Sequence, residues 1–336
     1  MQKKTILTLL SICSVFAFNS YALNKSPVTS QEKTQSKNMQ SNKISPVNIT
    51  NLHKLAITLK NESFANKILA YSQYFIGKPY NTEIGTNLII WDQNRDKNEL
   101  INIESFDCFS YIEMVIALAE IKEPSAELSK FKGQLADSLA KNMFLSSPVS
   151  YANRNHFMDE WLKNNSKYFT IKNMMANLPY AKVKTANINK AGLLETQITN
   201  YAKDNLPEAE RSEFTEKYNN QIKSIKPFKS DISYISFTDF LEHEQELTKQ
   251  LEGKIYIITV IMNNPKLLEL TKSEHNIAHV GFVFTKNNKL YFRHATSVAP
   301  KEVVEVSLEE YANGKKESKI FTGFTLFSVE QNIVTP

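Results

Sequence analysis

The sequence is poor in cysteine, has only one long apolar run, and lacks the motifs of several large enzyme classes. Its two cysteines, Cys13 and Cys108, limit any thiol chemistry to two positions. No G-x-S-x-G, P-loop or G-x-G-x-x-G occurs, which leaves serine-hydrolase and nucleotide-binding readings without support. Basic residues are scattered rather than clustered, so nucleic acid is not indicated. Beyond the N-terminal run no apolar stretch is long enough to span a bilayer, and a soluble mature protein is expected. No internal repeat is found.

What is present divides the 336 residues into four parts. Met1 to Lys4 carries two lysines, Thr5 to Phe18 is apolar, and Ser20-Tyr21-Ala22 places small residues at the −3 and −1 positions of a cleavage site. Residues 1–22 are therefore expected to be a signal peptide, and export to the periplasm or the exterior follows from that. Ile12 before Cys13 is too large for a lipoprotein signal. Residues 23–48, rich in Asn, Ser, Lys, Gln and Thr, read as a flexible tether. The formal charge of +5 falls to +3 without the two leader lysines, a mild basicity compatible with an anionic envelope polymer but not evidence for one.

Residues 49–230 read as mainly helical and 231–336 as strand-rich, so the expected fold class is α+β. Helices are expected from Asn61 to Phe75, from Cys108 toward Pro124, from Glu127 to Asn142 with Ser125 as N-cap, from Pro207 at N1 to Ile225, from the cap Thr238 to Gly253, and from Leu308 to Gly314. Thr86 to Trp91 reads as a short strand. Lys254 to Met262, Ala278 to Phe284, Leu290 to Thr296 and Ile320 to Val329 read as strands, with Asn287-Asn288 as a two-residue hairpin turn.

Cys108 stands out because it opens a helix. Cys108, Ile112, Val115, Ile116 and Ala119 share one apolar stripe, with Ser105 or Asp107 as N-cap. Backbone N–H groups and the positive end of the helix dipole favour thiolate over thiol there. Loss of residues 1–22 would leave Cys108 as the sole cysteine, and an odd cysteine in an exported chain suggests either pairing with another chain or a reactive thiol. The bland alternative is a small buried hydrophobe.

A cysteine hydrolase also needs a base and a group to orient it. His53, near the tether, and His243, among glutamates, read as solvated. His279 opens a strand. With Asn287-Asn288 as the turn, paired residue numbers sum to 575, so His294 lies opposite Gly281. His279 shares a face with Gly281, which makes the two histidines diagonal neighbours roughly 7–8 Å apart at Cα. The alternative is two satisfied histidines in a sheet.

The set Gly77-Lys-Pro79-Tyr80, Phe106-Asp107-Cys108 with Glu113 and Ala117-Leu118-Ala119, Arg154-Asn-His156-Phe with Trp161, Ala278-His279-Val-Gly281 and His294-Ala295 resembles the N-acetylmuramoyl-L-alanine amidase-like family of secreted cell-wall hydrolases, of the papain-like, NlpC-type cysteine clan. The likeness runs from about Ser63 to Val329. It implies a papain-like arrangement, with helices first and then an antiparallel sheet or small barrel. It also implies Cys108 as nucleophile, His279 as base, His294 as orienting residue, and Tyr80, Arg154, His156 and Trp161 as substrate contacts. For Tyr80 and Trp161 the alternative is core packing. Asp107 is expected as an N-cap and Glu113 as partner of a nearby Arg or backbone group. Phe109-Ser110 depart from the family's threonine-rich residues, and Gly253-Lys254 from its Gly-Asp pair.

The expected activity is amide hydrolysis in peptidoglycan or muropeptides without a cofactor. Three other readings remain at this stage. One is a stem-peptide endopeptidase of the same clan. Another is a zinc amidase using His275-x-x-x-His279 with His156 or Cys108, and the third is a peptidoglycan-binding protein without catalysis.

Overall fold

The computed structural model describes residues 48–93, 95–145 and 149–332. The signal-peptide and most of the tether expectations lie outside them. Helices come first: α1 (Ile49–Thr58), α2 (Phe64–Tyr74), α3 (Ile84–Trp91), α4 (Cys108–Glu120), α5 (Leu128–Met143) and α6 (Met158–Asn165). The short strand β1 (Phe169–Asn173) follows, then β2 (Lys182–Ile188), α7 (Lys190–Asn205), α8 (Glu208–Ile222), β3 (Phe228–Tyr234) and α9 (Phe237–Gln250). The remainder is β4 (Ile255–Met262), α10 (Lys266–Thr271), β5 (Ile277–Lys286), β6 (Lys289–Ala295), β7 (Val303–Ser307), α11 (Leu308–Asn313) and β8 (Phe321–Gln331).

Among the described residues the strands form an open six-stranded sheet, β1-β8-β4-β5-β6-β7, and a two-stranded ribbon of β2 and β3. All pairings are antiparallel. The fold is α+β with an open sheet, not a closed barrel. β1 comes from the helical part yet pairs with β8, so the first part supplies an edge strand to the sheet of the second.

The sheet has a core on each face. On one, Ile257, Ile261, Val280, Phe282 and Phe327 pack with α1, α2, α4 and α5. On the other, Val260, Val283, Phe292, Phe324 and Leu326 pack with Phe237 and Phe240 of α9 and with Leu308 and Ala312 of α11. α4 is the central element of the first core, for all its residues except Phe109 and Ser110 are buried.

Several local expectations are corrected. Residues 84–91 are helix α3, not a strand, because Ile84, Leu88 and Trp91 bury at helical spacing while Ile90 stays exposed. Ser125 accepts the Glu127 N–H, but the residue flanking α5 is Glu127 itself. Pro207 sits one position earlier than expected, before α8. The cap of α9 is Ser236, in a reciprocal box with Asp239, and not Thr238. β1, β2, β3 and β7 carry no strong alternation and are found only in the structure.

Candidate active site

Asp107 caps α4: its Oδ1 accepts the Ser110 N–H at 2.6 Å, and Ser110 Oγ accepts the Asp107 N–H at 3.0 Å. This box fixes the chain entering the helix and sets Cys108 in its first turn. The preceding chain is also anchored, since Phe106 bridges Tyr80 and the Asn81 N–H donates to Phe106 O at 2.9 Å. Tyr80 is thereby held two residues from the cysteine, half-buried at the edge of the larger core. Cys108 is 1 % exposed. Its sulfur is held in a disulfide in this structure, and Cys13, the sequence's other cysteine, lies outside the described residues.

The β5–β6 hairpin follows the expected register. Lys286 pairs with Lys289 and Phe282 with Arg293, and Asn287 and Asn288 both take positive φ, 51° and 56°, as a type I′ turn requires. His279 Nε2 and His294 Nδ1 are 2.7 Å apart, so the two imidazoles share a hydrogen bond. Gly281 is needed between them: a Cβ there would lie 2.8 Å from His294 Cβ and 2.5 Å from Arg293 O. Phe292 stacks on His294 at 4.1 Å between ring centroids, and Tyr311 meets it edge-on. A register shift between Val260 and Ile261 leaves Ala278 as the extra residue just before His279, a bulge that re-aims the strand at this point. Burial, with the Lys315 cation adding to it, lowers the His279 pKa to about 3. Burial, then His279 and Lys315, takes His294 well below its ordinary value. Both rings are neutral at neutral pH.

Cys108 and His279 border one small cavity of about 50 Å³, together with His156, Asp159, His275 and Asn276. The helix tip and the start of the strand, 171 positions apart in sequence, meet there. A second recess of about 70 Å³ shares His156 and Phe109 with it and runs past Arg154. A larger recess, about 810 Å³, does not include the sulfur; it lies along the other side of α4, shares Ile84 and Leu88 with the second, and is lined also by Asn87, Trp91, Phe106 and Glu113.

The remaining expected contacts separate. His156 borders the cavity, with Nε2 2.8 Å from Tyr151 O, and burial foremost holds its pKa well below the ordinary value. Arg154 is buried and turned inward, donating through Nη1 and Nη2 to Glu113 Oε1 and Oε2 at 2.7 and 2.8 Å. Burial works against its charge, but Glu113, with Asp107 and Tyr151 adding to it, outweighs burial and raises its pKa. Glu113 thus has the arginine partner expected of it. Trp161 is fully buried and stacked on Phe169, as the core-packing alternative has it. One histidine read as solvated is corrected: His53 stacks on Phe131 with Nε2 2.7 Å from Ser125 O. His243 stacks on Tyr180 but keeps 40 % of its side chain exposed, as expected.

Sequence reasoning missed Asp159 and Asn276 and considered His275 only as a zinc ligand. Asp159 Oδ1 accepts from Ser230 Oγ at 2.5 Å and Asn276 Nδ2 at 3.0 Å. The signal available was the Asn276-Ile-Ala-His279 run entering the strand. Among the described residues no three His, Cys, Asp or Glu side chains gather as metal ligands. His275 and His279 each commit Nε2 to a protein partner, Thr271 and His294. No helix among the described residues is long and apolar enough to cross a membrane.

A cysteine at a helix start and a strand-borne histidine pair, joined across a cavity between helices and an antiparallel sheet, define a papain-like α+β protein. The model of the AmiA-like, N-acetylmuramoyl-L-alanine amidase-like family matches residues 70–320, and the chain belongs to that family. A Legionella pneumophila protein of the DUF1460 family is similar in structure, with TM-score 0.70 and 24% identity over 84% of this chain and 94% of that one. An N-acetylmuramoyl-L-alanine amidase from Bacteroides uniformis is similar at TM-score 0.53 and 18% identity, over 80% of this chain and 99% of that one. At these identities the likeness concerns the fold. No curated protein matches the chain.

Proposed function

We propose that this protein is an exported cysteine amidase that hydrolyses the amide joining muramic acid to the stem peptide in peptidoglycan or its fragments. The observation carrying this reading is the cavity shared by Cys108 and His279, with His279 Nε2 already engaged by His294. Family membership supports the cell-wall substrate class. A chain cleaved after Ala22 would lose Cys13, and the reading requires Cys108 as the reduced thiol.

When His279 Nε2–H donates to His294 Nδ1, the His279 Nδ1 lone pair is left to receive the thiol proton. That neutral tautomer is the base the reaction needs. A thiolate formed at Cys108 would in turn stabilise the imidazolium. The thiolate attacks the amide carbonyl, and backbone N–H groups at the start of α4 stabilise the oxyanion. The imidazolium protonates the leaving amine as the C–N bond breaks. Water, deprotonated by His279, then cleaves the thioester and restores the thiol. The large recess beside α4 supports binding of the bulk of the substrate.

The test is mass spectrometry of purified muropeptides incubated with the protein and with Cys108→Ala. The expected result is release of stem peptide from muramic acid, reduced at least about 10³-fold in the variant. Cleavage within the stem peptide would replace the amidase reading by the endopeptidase one. Unchanged muropeptides with measurable binding would replace both by a binding protein. Chelator-sensitive activity that survives thiol alkylation would overturn the cysteine mechanism.

A further inference from the structure

The cavity beside Cys108 has two buried hydrogen-bond acceptors without donors. Asn276 is fully buried, and its Nδ2 donates to Asp159 Oδ1 at 3.0 Å and to Ser230 O at 3.1 Å. Both amide hydrogens are thereby used, which fixes the side chain's orientation, and Asn276 Oδ1 has no partner. His275 is 6 % exposed and lies against Phe157. Its Nε2 is 3.0 Å from Thr271 Oγ1. The Thr271 hydroxyl has one hydrogen and directs it to Leu267 O at 2.7 Å, so towards His275 it accepts. The His275 proton therefore sits on Nε2. Nδ1 is left as a lone pair, and it too is buried without a partner.

Unsatisfied buried acceptors are few in native proteins, and each calls for a cause. Here two occur in consecutive residues on one wall of one cavity. Nearby Glu160 is matched by Lys190 and Glu113 by Arg154, but among the described residues no Lys or Arg lies within ion-pair distance of Asp159, and burial raises its pKa against the hydrogen bonds from Ser230 and Asn276. The wall is rich in acceptors and lacks a cation.

We propose that this cavity is a subsite for a nitrogen-bearing group of the substrate, whose N–H is received by Asn276 Oδ1 and His275 Nδ1 beside the reacting sulfur. An amide N–H and a primary ammonium offer the same donor chemistry. The subsite rests on the reading that Cys108 meets the substrate amide, and it assigns specificity rather than bond cleavage to Asn276 and His275.

Binding to Cys108→Ala protein is measured calorimetrically for N-acetylmuramoyl-L-alanyl-D-isoglutamine and for its two analogues N-methylated at one amide each. L-alanyl-D-isoglutamine, with a free ammonium, and its N-acetyl form are the second arm. One N-methylation is expected to weaken binding about tenfold, or the ammonium dipeptide to bind about tenfold tighter than its acetylated form. The first result assigns an amide N–H and the second an ammonium. In His275→Phe and Asn276→Ser backgrounds that discrimination should fall below about twofold. Equal binding of all analogues, or discrimination that persists in both backgrounds, overturns the subsite. Should either background fail to fold, the analogue series on protein with both residues intact still decides. Turnover of the parent compound by the protein with Cys108 intact reports on the amidase reading separately, so either claim can fail alone.

Discussion

The β5–β6 hairpin and the segment from Ser150 to Asn165 both reach the cavity at Cys108, but their side chains are placed by different forces. In the hairpin a two-residue turn and the period-two alternation of strands set every face at once, so His279 and His294 meet as local geometry demands. Residues 150–165 form a 3₁₀ turn and the eight-residue helix α6, with no regular ladder to aim their side chains. There the nearest unmatched partner decides. Arg154 turns to the buried Glu113, Trp161 fills the core, and His156 remains at the cavity. Polar and aromatic residues concentrated in an irregular segment therefore locate a site without saying which of them face the ligand.

The largest effect that would test this contrast is on Arg154. Arg154→Met leaves Glu113 buried and unpaired, and should destabilise the fold by about 3–5 kcal/mol in denaturant titration. Arg154→Met combined with Glu113→Leu should recover much of that loss. If the single variant instead keeps full stability and only raises KM, Arg154 belongs with the substrate contacts after all.

Gly281→Ala tests the hairpin in the same way. The added methyl meets the Arg293 carbonyl and the His294 side chain, so a cost of about 1–3 kcal/mol is expected together with a loss of hydrolysis as the imidazole pair is forced apart. A fully stable and fully active variant would show that the close approach does not position His294.

Acid should act on both regions. Burial lowers His275 to about 4 and His279, aided by Lys315, to about 3, and keeps His156 well below 6.5. Below pH 6.5 the unfolded chain takes up protons that the folded chain refuses, so stability falls as pH drops from about 6.5 toward 4. Each such histidine contributes up to about 1.4 kcal/mol per pH unit. Urea midpoints measured from pH 7 to 4.5 should show the decline, and His156→Gln or His279→Gln should each flatten it. An unchanged slope in His279→Gln would mean that its ring is solvated.

The smallest effect is expected for Trp161→Phe, about 1 kcal/mol in stability with KM unchanged. A raised KM at unaltered melting temperature would return Trp161 to the substrate contacts.

The residues most legible in the sequence are those whose placement depends on near neighbours. Asp107 announces the start of α4, and Asn287-Asn288 announces the hairpin and thus the histidine pair. Residues 84–91 misled because a short run rich in isoleucine fits either a strand or a buried helix, and only its packing beside α4 selects the helix. β1 is too short to show a period, and it is a strand because β8 offers it an edge.

By itself the sequence determined the helix that presents Cys108, the register that pairs His279 with His294, and the order of helices before strands, since capping, alternation and turn chemistry act over a few residues. Only the tertiary structure decided that sulfur and imidazole share a cavity, that Arg154 faces Glu113, and that Asn276 and His275 hold acceptors there. Those contacts join positions tens to hundreds of residues apart, and they are selected by burial and by the need to satisfy buried charge and polarity, which no local pattern records.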